Sequence, residues 1–257
     1  MQRVLKLLQI LEDHQYKDQG EKKPVGGHGT GVCFLDKSGI MVVHKVGKTN
    51  SSPVKDLSLV KQVSQTKSRV VLGHVRYASP SLIDTVRYAA AAQPYRVNCL
   101  GMSEVICVHN GKVRNYEKIR KGVLKEHCFQ SEQVMLVDSE VIPHLFEEHL
   151  HMYNDEVEAR KRTFEAVKGN NTAVVLTRLE GKLRLHILQK GSTRGMHVWK
   201  NDKGEILLCS RPEPLQQVFG EILAAGHFRK VVSIEWNEDK EVQQTYEIAV
   251  STPPQLP

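Results

Sequence analysis

The stretch from residue 105 to 116 constrains this chain most. Val105-Ile106-Cys107-Val108 is a short apolar run of the kind that forms a buried strand. His109-Asn110-Gly111 follows, and Asn-Gly is a common turn dipeptide. Beyond it, Val113, Tyr116, Ile119, Val123 and Leu124 recur near helical spacing. The stretch therefore predicts a strand, a tight turn at Asn110-Gly111 and a helix. Such a junction presents backbone N–H groups at a helix start, where an anion or a developing oxyanion can be held. An ordinary connecting turn has the same local signature.

Similar logic organises the flanks. Val4, Leu7, Leu8 and Leu11 have i, i+3, i+4, i+7 spacing and predict an amphipathic helix docked on a core. Lys6 and Gln9 interrupt that apolar run and no small-residue cleavage site follows it, so a signal peptide is not expected. Residues 18–31 are polar and glycine-rich and read as a loop; the Gly-Lys-Ser/Thr ending of a phosphate-binding loop is missing. A hairpin is expected from 31–36 and 40–46 around Lys37-Ser38-Gly39, then a helix over 57–63 and a buried strand over 69–77. Residues 79–101 read as loop with a short helix near Ala89. Val134, Val137, Val141 and Leu145, with Ile142 and Phe146, predict a helix entered through Asp138-Ser139-Glu140. A further helix ends over 164–167. The second half turns to strands, at 172–179, 183–188, 196–199, 206–209, 231–236 and 245–250, with one amphipathic helix over 215–223. The proline-rich tail, 251–257, is expected to be disordered. Strands in two sets with helices before and between them predict an α+β fold of stacked sheets, with one domain over residues 1–250.

Composition removes several function classes. The net charge is +7, but no basic block exceeds three residues and aromatics make up only 6% of the chain, so a nucleic-acid groove is not indicated. No apolar run reaches membrane-spanning length. The five cysteines, at 33, 99, 107, 128 and 209, lack CxxC spacing, which indicates neither a zinc site nor a disulfide framework. A reducing, cytoplasmic setting is the simplest expectation, with no metal and no cofactor.

Four blocks, in order, resemble a class-II glutamine amidotransferase domain of the N-terminal-nucleophile hydrolase superfamily, most closely its stand-alone members. They are Gly29-Thr30-Gly31-Val32 before the hairpin, Gly73-His74-Val75-Arg76-Tyr77-Ala78-Ser79, His109-Asn110-Gly111 with Asn115-Tyr116, and Asp138-Ser139-Glu140. The resemblance covers roughly residues 3–250. It implies a four-layer αββα sandwich of two mainly antiparallel sheets. It also implies a reaction in which an N-terminal cysteine attacks the glutamine side-chain amide, the free α-amine serves as base, and ammonia leaves a glutaminyl thioester. On this resemblance Asn110 and the Gly111 N–H would stabilise the oxyanion. Arg76 would pair with the glutamine α-carboxylate and Asp138 with the α-ammonium. His74 and His109 would lie nearby as packing and hydrogen-bonding residues.

Three departures accompany the resemblance. No cysteine, serine or threonine precedes Thr30, so the family's first strand and nucleophile are not in this sequence, and Cys33 aligns with a strand interior. Gln93-Pro94 stands where the stand-alone members usually show His-Pro, and Thr30 stands where tryptophan is frequent. Three readings remain: a hydrolase whose true start lies upstream, a non-catalytic ligand- or partner-binding protein of the same fold, or a nucleic-acid binder. A separate synthase subunit is the partner that the first would supply with ammonia.

Overall fold

The structure is a computed structural model that describes residues 1–18, 21–101 and 103–248. The first half runs α1 (Gln2–Asp13), β1 (Gln15–Asp18), β2 (Glu21–Pro24), β3 (Gly29–Leu35), β4 (Met41–Gly47), α2 (Pro53–Leu59), α3 (Lys61–Ser64), β5 (Val71–Val75), β6 (Tyr95–Val97), β7 (Glu104–Gly111) and α4 (Tyr116–Gly122). The second runs α5 (Val141–Tyr153), α6 (Glu156–Ala166), β8 (Asn171–Leu179), β9 (Lys182–Lys190), β10 (Met196–Lys200), β11 (Ile206–Cys209), α7 (Pro212–Ala225), β12 (Arg229–Ile234) and β13 (Val242–Ile248).

Side-chain alternation along the strands builds four layers. One sheet has the order β13-β9-β8-β7-β6, and across from it lie two smaller sheets, β4-β3-β5 and β11-β10-β12, all paired antiparallel. Residues two apart on a strand share a face. Ile106, Val108, Val174, Leu176 and Ile187 of the large sheet therefore meet Cys33, Met41, Leu72, Val198 and Ile234 in the core between the sheets. The opposite face of the large sheet, with Val105, Cys107, Ala173 and Val175, packs on Ile142, Leu145, Phe146 and Leu150 of α5 and on Phe164 of α6. On the far side, Val32, Phe34, Val75 and Trp199 bury Leu7, Leu8 and Leu11 of α1 with Leu215 and Phe219 of α7. The result is α+β in class, as the order of strands and helices implied, and has the four-layer αββα arrangement that the family resemblance implied.

Several local expectations change. The stretch over 18–31 is not all loop, because β1 and β2 pair as a hairpin from Gln15↔Pro24 to Asp18↔Glu21. The helix expected over 57–63 is two pieces divided at Val60, whose ψ of 111° leaves helical space. Val134 is exposed and lies outside the helix, which starts at Val141 after a tight turn over Asp138–Glu140. The proline-rich tail lies outside the described residues.

Candidate functional site

β5 delivers the first part of the site. Val71, Gly73 and Val75 face the helices, and a Cβ on Gly73 would stand 3.0 Å from Leu8 Cδ1. Alternation sends Leu72, His74 and Arg76 the other way, between the sheets. The Arg76 backbone continues the pairing, with its N–H on Gly29 O at 2.8 Å and its carbonyl accepting from His28 N at 2.8 Å. The buried guanidinium donates through Nη2 to Thr85 Oγ1 at 2.7 Å, whereas Nη1 is buried and meets no hydrogen-bond acceptor. Burial pulls its pKa down, and Tyr95 and Asp138 oppose that pull. Both ring nitrogens of His74 are buried without a hydrogen-bond partner. Burial, with the charges of His109, Arg194 and Arg76 added, brings the His74 pKa to about 3. The ring is therefore neutral near pH 7.

β7 delivers the second part, and here the turn expectation fails. Asn110 and Gly111 remain in the ladder, opposite Thr172 and Asn171 of β8, and the chain leaves the sheet only after them. The helix that follows begins at Tyr116, so the Asn-Gly pair sits at a strand end and not at a helix start. Gly111 has φ +137°, and a Cβ there would lie 2.2 Å from Asn170 O. Only glycine fits that approach. Asn110 follows Val108 on the inter-sheet face, while His109 turns toward the helices. His109 Nε2 lies 2.9 Å from Asn171 Oδ1 and its Nδ1 lies 2.8 Å from Ser139 Oγ. Asn171 Nδ2 donates to Lys168 O at 3.3 Å, which makes Oδ1 the acceptor. Hence the His109 proton sits on Nε2, and Nδ1 accepts from Ser139. Gln93 grips the same residue through its backbone: Oε1 accepts from His109 N at 2.6 Å and Nε2 donates to His109 O at 3.1 Å.

The turn over Asp138–Glu140 closes the arrangement, each residue holding a different segment. Asp138 Oδ2 accepts from Val113 N at 2.8 Å, next to the end of β7. Ser139 holds His109. Glu140, fully buried, accepts from Gln130 N at 2.6 Å, Ser131 N at 2.8 Å and Ser131 Oγ at 2.5 Å. Arg76, His109 and Tyr95 all feel the Asp138 charge. Residues 74, 76, 109 and 138, far apart in sequence, thus belong to one electrostatic neighbourhood, with Asn110 and Gly111 on the strand beside it.

Two contributors were not legible as site residues. Gln93 was a departure from a motif, and the structure makes it the clamp on His109. Lys45 carries no local signal at all. Its ammonium is 2.8 Å from Gln130 Oε1 and 3.3 Å from Ala90 O, and it lies 4.8 Å from the centre of the Tyr95 ring. Burial lowers its pKa to about 8 against the opposing charge of Glu140.

The thiols near this neighbourhood are poor nucleophiles. Cys33 is fully buried in β3, and burial together with the Glu104 charge pushes its pKa up to about 12. Cys107 is equally buried, and burial alone raises its pKa. A thiol needs its thiolate form and access to react.

No protein-family model matches the chain. It is 29% identical over 166 residues to a glutamine–fructose-6-phosphate aminotransferase of Sulfurisphaera tokodaii, an alignment covering 64% of this chain and 25% of that protein. It is 35% identical over 114 residues to an amidophosphoribosyltransferase of Pyrococcus horikoshii, covering 44% and 22%. The chain spans about a quarter of the length of the curated relatives it matches. Among solved structures, the glutamine phosphoribosylpyrophosphate amidotransferase of B. subtilis, complexed with ADP and GMP, superposes with a TM-score of 0.61 at 15% identity. That superposition covers 97% of this chain and 47% of the other. An allosteric regulatory enzyme of purine biosynthesis gives a TM-score of 0.62 with the same coverage.

Proposed function

This chain is related to the glutamine amidotransferases and has the class-II, N-terminal-nucleophile fold, and on that premise we propose that its site binds glutamine as part of an amide-hydrolysing, ammonia-transferring domain. The observation that carries the reading is the buried Arg76 guanidinium, which keeps an unsatisfied donor within the field of Asp138. A buried guanidinium with an unmet N–H favours an anionic ligand. A free α-amino acid offers a carboxylate to Arg76 and an ammonium to Asp138. Asn110 and the Gly111 N–H then flank its side-chain amide, where an oxyanion would form. His74 is too weak a base to take part, and the His109 lone pair is already bound to Ser139.

Amide cleavage in this reading needs a thiolate at the site. Burial raises the pKa of both the Cys33 and the Cys107 thiol, which supports a binding role for the site, with hydrolysis requiring a nucleophile other than these two thiols. Ammonia would then pass to a synthase, as a subunit or a further domain, in a cytoplasmic setting.

Calorimetric titration with glutamine tests this. Wild type should give saturable heat, and Arg76→Met should weaken binding by roughly 100-fold, since each charge-assisted hydrogen bond is worth about 1.5–3 kcal/mol. The chain beginning at Met1 should release no ammonia from glutamine. Equal heats from both proteins, or ammonia release abolished by Cys33→Ala, would overturn the reading.

A further inference from the structure

On the helix side of the large sheet, away from the inter-sheet site, four side chains from three segments converge. Cys99 lies just beyond β6, His127 lies in the connection after α4, and His144 and Glu147 stand three apart on one face of α5. One donor atom from each falls within 4.8 Å of all the others. His144 Nδ1 is 3.0 Å from His127 Nδ1 and 3.9 Å from Cys99 Sγ. His127 Nδ1 is 3.4 Å from Glu147 Oε2. His127, His144 and Glu147 are buried.

Hydrogen bonding alone serves this cluster badly. His127 Nε2 lies 3.0 Å from Glu148 Oε2 and so carries that ring's proton. Its Nδ1 then turns a lone pair toward the Glu147 carboxylate, which is repulsive. Protonating Nδ1 as well would bury an imidazolium whose second N–H also confronts the His144 ring. His144 Nδ1 can donate to the His127 Nδ1 lone pair at 3.0 Å, but the buried His144 Nε2 is then left as an unprotonated nitrogen 3.8 Å from Glu140 Oε1, with no hydrogen-bond partner. A divalent cation bound by Nδ1 of both rings removes the conflict, because those lone pairs then point at positive charge and His144 Nε2 carries its proton toward Glu140.

We propose that Cys99, His127, His144 and Glu147 form a zinc site. One thiolate, two imidazoles and one carboxylate are a donor set that zinc takes tetrahedrally, with ligand bonds near 2.0–2.3 Å. Such bonds place neighbouring ligand atoms about 3.3–3.6 Å apart, and the three separations of 3.0, 3.4 and 3.9 Å bracket that range. Supporting contacts are also present. Glu148 orients His127 as carboxylates orient metal-bound histidines, and Cys128 N donates toward Cys99 Sγ at 3.4 Å. Glu147 is held by Cys99 N at 3.1 Å and Leu100 N at 3.0 Å. Four protein ligands close the coordination sphere, so the site is structural. It pins two loops to α5, whose entry turn carries Asp138. Cys99, His127 and the α5 pair are widely separated in sequence, so ligand spacing along the chain did not reveal them.

The test is metal analysis of the purified full chain by mass spectrometry, followed by Co²⁺ loading. Wild type should retain one zinc per chain through dialysis. Its Co²⁺ form should show the intense visible bands of tetrahedral cobalt and a near-ultraviolet thiolate-to-cobalt band. Cys99→Ala should abolish that band and weaken zinc binding by more than about 100-fold, and Glu148→Gln should weaken it by about 10–100-fold. Cys128→Ser should leave the band in place, a readout that stands even if Cys99→Ala fails to fold. Wild type without retained zinc, a Co²⁺ form lacking the thiolate band, or a band lost in Cys128→Ser would refute the assignment.

Discussion

His74 makes stability fall in acid, by an amount that its surroundings set. Its folded-state pKa is about 3, against an ordinary 6.5, because burial penalises the charged ring beside Arg76 and Arg194. The unfolded chain therefore binds a proton between those two values that the native chain refuses. The native state is favoured in full above pH 6.5, and that advantage is lost progressively as pH falls toward 3. Each pH unit inside the window is worth about 1.4 kcal/mol, so lowering the pH from about 7.5 to 5 should cost at most about 2 kcal/mol through this residue. Urea unfolding of wild type and His74→Leu at both pH values isolates the contribution, since the other titrating groups are common to both proteins. The loss of stability between the two pH values should be smaller in His74→Leu by up to that amount. Equal losses in the two proteins would refute the reasoning, as would a His74 ring resonance that titrates above pH 5 in the native protein. The same desolvation keeps His74 from becoming a second cation beside Arg76, so that under the proposed function Arg76 would be the group to meet a ligand carboxylate.

Two further substitutions probe the scaffold. Gly111→Ala would drive a Cβ to 2.2 Å from Asn170 O at a φ of +137°, and it should cost roughly 2–4 kcal/mol in a urea titration; an unchanged midpoint would contradict the close approach. Glu140→Gln turns an amide N–H₂ toward the N–H groups of Gln130 or Ser131, and it should lower stability by about 2–3 kcal/mol in thermal melts, with wild-type melting as the contrary result.

Much of the architecture was local enough to read from residues. The α1 stripe of Leu7, Leu8 and Leu11 faces a core as its spacing required, and the strand over Val105–Val108 is buried as its apolar run required. Helical and strand periods are imposed by the backbone itself, so a dozen residues suffice to reveal them. What neighbours in space imposed was not legible in this way. Asn110-Gly111 looked like a turn because the dipeptide favours one, yet pairing with Thr172 and Asn171, some sixty positions later, keeps both in the ladder. Gln93 and Lys45 acquire their surroundings only when the inter-sheet layer closes over them. The sequence could nominate Arg76, Asn110, Gly111 and Asp138 through their motifs. The stacking of sheets decided that Arg76 and Asp138 share one electric field, and the packing of α5 against two loops brought Cys99 and His127 to His144 and Glu147. Contacts across tens of residues have no characteristic spacing along a chain, so only the tertiary structure can specify them.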